Sequence, residues 1–81
     1  MTNIILYTKE NCPACNRSKK LLNEFNYPFT EIVVGKDISR DQILEKYPDQ
    51  KTVPIIIIND NKISGFTELQ VLLETKKIEL L

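Results

Sequence analysis

The chain is 81 residues long, which allows one small domain able to hide only roughly 63% of its unfolded surface. Eleven Lys and Arg offset eleven Asp and Glu, so no basic excess draws nucleic acid or an anionic membrane. No apolar run exceeds the four residues Ile55 to Ile58, against the roughly 20 that span a bilayer, and an apolar share of 42% with 27% charged residues suits a soluble globular domain. The chain starts directly on strand-like sequence without a basic, then apolar, leader, so a cytoplasmic setting is expected.

Asn3-Ile4-Ile5-Leu6-Tyr7 is short, apolar and β-branched, and predicts a buried first strand bounded by the polar Thr8-Lys9-Glu10-Asn11 loop. From Pro13 to about Asn26, the positions Ser18, Leu21, Leu22 and Phe25 recur at helical spacing while Arg17, Lys19, Lys20, Asn23 and Glu24 take the other face. Asn26-Tyr27-Pro28 stops this helix, because the residue before proline is pushed out of the α region, and Phe29 to Val34 has strand composition. Ser39-Arg40-Asp41-Gln42 has capping-box spacing, and Ile43, Leu44 and Tyr47 give a second helix its inward face before Pro48. The β-branched run Ile55 to Ile58, after Pro54, predicts a central strand buried on both faces. Asn59-Asp60-Asn61 then turns the chain into a short antiparallel strand near Lys62-Ile63. Thr67-Glu68-Leu69-Gln70 repeats the capping-box spacing, with Leu69, Leu72 and Leu73 on the buried face of a third helix ending near Lys76-Lys77. The order is βαβαββα, an α/β domain over residues 1–81 with a four-stranded mixed sheet flanked by three helices.

The cysteine and histidine counts narrow the chemistry. With no His, every mechanism that uses an imidazole base is excluded, and two cysteines cannot fill a self-contained tetrahedral zinc site. Thiol chemistry remains. Cys12 and Cys15 stand two residues apart at the junction of the first strand and first helix, with Pro13 suited to the first helical position. There the unpaired N–H groups and positive dipole end favour a thiolate on Cys12, the candidate nucleophile. Cys15, about one turn further, can attack a mixed disulfide formed on Cys12 and is the candidate resolving thiol. The same pair could instead be half of an intermolecular metal site or two structural thiols. Lys9 alone reads as a solvated charge, Thr52-Val53-Pro54 as the start of a strand, and Ser64-Gly65-Phe66-Thr67 as a turn and cap. Together they form a constellation, since a mixed sheet brings each to the edge that carries Cys12.

Tyr7-Thr8-Lys9 ahead of Cys12-Pro13-Ala14-Cys15, then Thr52-Val53-Pro54, then Gly65-Phe66 resemble a glutaredoxin over essentially the whole chain. The lack of Trp separates the sequence from ordinary thioredoxins. The resemblance implies a thioredoxin-like fold, a redox-active Cys12–Cys15 disulfide, a cis Val53–Pro54 bond against the cysteines, and a glutathione-dependent dithiol thiol-disulfide oxidoreductase. Carried over by position, it implies a glutathione site of Lys9, Cys12, Thr52, Val53, Pro54, Gly65, Phe66 and Thr67. In it Lys9 meets the glycine carboxylate, Val53 pairs with the cysteine backbone, and Phe66 and Thr67 hold the γ-glutamyl end. The sequence departs from the family at Ala14, where an aromatic is usual, and at Ser64 and Thr67, where Gly and Asp are usual. Ser64-Gly65-Phe66 also resembles NrdH-type redoxins, which draw electrons from thioredoxin reductase and serve ribonucleotide reductase. A third reading is a dimer holding a [2Fe–2S] cluster through Cys12 and two glutathione thiols. The expected partners are glutathione and disulfide-containing proteins, ribonucleotide reductase among them, with no nucleic acid, no membrane and a monomeric chain.

Overall fold

A computed structural model of the chain describes residues 2–49 and 52–81. The elements follow the expected order: β1 (Ile4–Thr8), α1 (Pro13–Glu24), β2 (Thr30–Val33), α2 (Arg40–Lys46), β3 (Ile55–Ile58), β4 (Asn61–Ile63) and α3 (Phe66–Glu74), with a 3-10 turn over Lys77–Leu80. The sheet runs β2-β1-β3-β4. β1 pairs parallel to β2, with Tyr7 opposite Ile32, and antiparallel to β3, with Tyr7 opposite Ile55; β3 and β4 form the antiparallel hairpin.

The two-residue period of the strands divides the core. Ile4, Leu6, Ile56, Ile58 and Ile63 face one side and pack with Leu22 of α1 and with Leu69 and Leu73 of α3. Tyr7, Ile55 and Ile57 face the other side and pack with Ile43 of α2. The Tyr7 and Tyr47 rings meet edge to face at 5.9 Å, tying the end of α2 to β1. All four isoleucines of β3 are buried, as a central strand covered on both faces requires.

The start of α2 matches its sequence. Ser39 Oγ accepts the Gln42 N–H at 3.1 Å while Gln42 Oε1 accepts the Ser39 N–H at 2.9 Å, so both halves of the capping box are made. The expected box at Thr67 is not. Helix α3 starts earlier, with Gly65 at the N-cap and no side-chain cap bond, which puts Thr67 inside the first turn. Ser64 Oγ instead donates to Glu68 Oε2 at 3.0 Å. Phe25 is also displaced from its expected inward place. Helix α1 stops at Glu24, Phe25 caps it and is 37% exposed, and left-handed Asn26 lets the Tyr27 N–H donate to the Leu22 carbonyl. Tyr27 and Phe29 pack against the core in its stead. After α3 a left-handed Lys76 turns the chain so that Ile78 is fully buried against the first core face. Among the described residues, no helix is long and apolar enough to cross a membrane.

Candidate active site

The end of β1 is fixed before the chain reaches the cysteines. The Thr8 carbonyl accepts the Val34 N–H at 2.7 Å, and the buried Thr8 hydroxyl donates to Glu31 Oε2 at 2.7 Å. That carboxylate oxygen also takes Lys19 Nζ of α1 at 3.1 Å, so one acid joins β1, β2 and α1. The hydrogen bond from Thr8, then that from Lys19, holds the Glu31 carboxyl below its usual range. Asn11 takes a left-handed conformation, which an Asn tolerates better than most residues, and delivers the chain to Cys12.

Cys12 is the N-cap of α1, in extended conformation, and Pro13 occupies the first turn, where its missing N–H costs nothing. Cys12 Sγ accepts the Cys15 backbone N–H at 3.1 Å, doing with sulfur what a Ser or Asp cap does with oxygen. The two cysteines form a disulfide with their Cα atoms 5.2 Å apart. Cys12 retains 6% exposure and Cys15 none, so an incoming group can reach only the first sulfur. No acidic residue lies in the first turn of α1 to oppose a negative sulfur.

The pairing of Tyr7 with Ile55 brings the segment before β3 beside the loop after β1. Lys9, Thr52 and Val53 accordingly line one cleft of about 250 Å³, together with Val34, Arg40, Ile43, Leu44 and Ile55. The Val53–Pro54 peptide is cis. Arg40 was not singled out in the sequence, where it reads as one charge within a capping-box string; only the packing of α2 over Tyr7 and Ile55 brings it to the cleft. Among the described residues, neither Lys9 nor Arg40 is paired with a carboxylate. Gly65, Phe66 and Thr67 stand apart from this lining, at the start of α3. The space where a Cβ would sit on Gly65 is open. Glu68, which in the sequence is one residue of a capping-box string, places an acidic group in the same first turn.

A cysteine pair at a helix start, one sulfur reachable and the other sealed behind it, on a four-stranded mixed sheet with helices on both faces, defines a dithiol thiol-disulfide oxidoreductase of thioredoxin-like fold. The glutaredoxin family model matches residues 4–63, most of the chain. The sequence is 35% identical over 72 residues to Glutaredoxin 3 of Escherichia coli K12, covering 89% of this chain and 87% of that one. The crystal structure of Glutaredoxin 1 from Francisella tularensis, complexed with cacodylate, superposes with a TM-score of 0.81 at 28% identity over the full length of both chains. A buckwheat glutaredoxin solved as a glutathione complex superposes at 0.77 with 21% identity, over 98% of this chain and 74% of that one. The chain belongs to the glutaredoxin family.

Proposed function

We propose that residues 1–81 act as a single, monomeric, cytoplasmic domain that reduces protein disulfides and glutathione mixed disulfides, with glutathione as the reductant. The Cys12 thiolate attacks one sulfur of the substrate disulfide; a Cys12–substrate disulfide forms, and the other substrate sulfur leaves as a thiolate that takes a proton from water. Cys15 then gives up its proton and attacks Cys12 Sγ, which frees the second substrate thiol and leaves the Cys12–Cys15 disulfide. Two glutathione molecules return it to the dithiol and leave as glutathione disulfide. The observation that carries this division of labour is the asymmetry of the pair: Cys12 at the helix cap, reachable and bonded by the Cys15 N–H, and Cys15 sealed.

Glutathione would lie along Val53, its glycine carboxylate toward Lys9 and Arg40 in the cleft and its γ-glutamyl carboxylate on the Phe66 and Thr67 N–H groups at the open start of α3. Glu68 would receive the γ-glutamyl ammonium in place of the acid the family usually carries at the position of Thr67. Thr52, Pro54 and Gly65 complete the walls. The glutathione complex of the buckwheat protein, which shares the fold, supports this choice of ligand.

The test uses Cys12→Ser and Cys15→Ser with each reductant supplied separately. Cys12→Ser should lose all turnover. Cys15→Ser should lose reduction of protein disulfides yet keep deglutathionylation, which needs one thiol. Equal loss of both activities in Cys15→Ser would contradict the split. Turnover by thioredoxin reductase and none by glutathione would transfer the chain to the redoxin reading that Ser64-Gly65-Phe66 suggests, with ribonucleotide reductase as its protein substrate. The [2Fe–2S] reading would take Cys12 as its one protein ligand from each chain, with glutathione thiols supplying the rest; a coloured dimer after anaerobic reconstitution would favour it, and a colourless monomer would remove it.

A further inference from the structure

The cleft beside Val53 holds more apolar surface than a glycine can use. Ile43 and Ile55 are nearly closed to solvent, at 4% and 1% exposure, while Val34, Leu44 and Val53 are half-buried around them. At about 250 Å³ the cleft approaches the small end of ligand pockets, which begin at roughly 300 Å³, and far exceeds the space of a carboxylate and one methylene. Among the described residues that line it, Lys9 and Arg40 carry the charge, both cationic and both without a carboxylate partner, and none is acidic. An apolar recess with two unpaired cations complements a group that is apolar and anionic at once.

We propose that this cleft makes the enzyme select disulfides whose exchanging cysteine is followed by a large apolar residue bearing a free carboxylate, so that a Cys-Leu carboxylate end is preferred to Cys-Gly. The apolar side chain enters among Val34, Leu44 and Val53, and the carboxylate lies between Lys9 and Arg40. This rests on the docking direction proposed above, with the chain along Val53 and its C-terminal end toward Lys9. No new covalent step is involved, since the exchange at Cys12 is the same for either substrate.

The probes are mixed disulfides of 2-mercaptoethanol with γ-glutamyl-cysteinyl-glycine and γ-glutamyl-cysteinyl-leucine, each as the free acid and as the C-terminal amide. The second-order rate constant for reaction with the reduced protein is read for each and normalised to its rate with dithiothreitol. The leucine acid should react about tenfold faster than the glycine acid, the lower end of what burying one such side chain yields. Leu44→Ser should shrink that ratio. Leu44→Phe, which fills the recess, should abolish it. Arg40→Gln should reduce the acid-over-amide ratio of both peptides and leave the leucine preference. Equal rates for leucine and glycine acids, with both still faster than their amides, would overturn the proposal and leave the docking direction standing. Rates indifferent to both residue and carboxylate would remove the docking direction itself. A leucine preference unchanged in both Leu44 variants would place the apolar contact elsewhere and also overturn the proposal.

Discussion

The starts of α1 and α3 face the same physical problem and meet it differently. Each helix begins with N–H groups that have no partner within the helix and with the positive end of the peptide dipoles. At α1 the chain's own sulfur takes up that potential: Cys12 caps the helix and accepts the Cys15 N–H, and Pro13 removes another orphan donor. At α3 the cap is Gly65, which has no side chain to offer, and Ser64 turns to Glu68 instead of closing the helix. One helix start is satisfied from within and spends its field on a reactive thiolate. The other is left open, with an acid beside it, and suits a zwitterionic end that brings its own carboxylate and ammonium. Under the proposed function, a single device would thereby serve reactivity at one place and recognition at another.

The comparison is broken most severely at Cys12. Cys12→Ser keeps an oxygen able to cap α1, so circular dichroism should show the fold intact while turnover falls on the order of a thousandfold or more. A large loss of helix signal would mean that the sulfur is needed for structure and would undo the assignment of its field to chemistry. Next in size is the bond from the Cys15 N–H. Cys15→Ser and Cys15→Pro both lack the resolving thiol, but only the second lacks the donor. The Cys12 thiol should be alkylated more slowly by iodoacetamide at neutral pH in Cys15→Pro than in Cys15→Ser, because its thiolate has lost the hydrogen bond from the backbone N–H. Equal alkylation rates would show that the dipole alone stabilises the sulfur.

At α3, Glu68→Gln removes the acid without shortening the side chain. KM for glutathione mixed disulfides should rise about threefold with kcat little changed, the range expected of an exposed ion pair. A fall in KM would mean that Glu68 repels the ligand carboxylate more than it attracts the ammonium. The smallest effect concerns the anchor of α1. Because the folded Glu31 carboxyl titrates below its usual 4.5, its contribution to stability is present above that value and is lost as the pH falls through the lowered one. Glu31 is about a third exposed, so the contribution stays below about 1 kcal/mol. Glu31→Gln should flatten the acid limb of a urea-midpoint-versus-pH curve below about pH 4.5 and leave the limb above it parallel to wild type. An acid limb unchanged by the substitution would assign the lost stability to other carboxylates.

What could be read from the sequence depended on whether one local pattern had one physical meaning. Ile55 to Ile58 had one: four β-branched residues after a proline have little choice but a covered strand, and β3 spans those residues. Cys12-Pro13 likewise carries its helix start in the identity of Pro13. Capping-box spacing is more ambiguous. Ser39 and Gln42 close a box because no better cap stands nearby, whereas the same spacing from Thr67 falls inside a helix that Gly65 begins. The buried Ile78 depends on a left-handed Lys76, which no residue preference signals. Arg40 joins the cleft through contacts between elements far apart in the chain, and Thr8, Lys19 and Glu31 meet for the same reason. The thiol pair was legible because it is local; the rest of the substrate surface is assembled by topology.

Asn59 has a practical meaning beyond its turn. Its Oδ1 accepts the Asn3 N–H and its Nδ2 donates to the Leu81 carbonyl, both at distances below 3.0 Å, so the first strand's entry and the last residue meet at one corner. That corner lies where β1 begins and β3 ends, while Cys12 follows the opposite end of β1. A tag, a fluorophore or a fused partner joined at either end of these 81 residues therefore hangs from the back of the domain, leaving the sulfur side free to approach a bulky folded substrate.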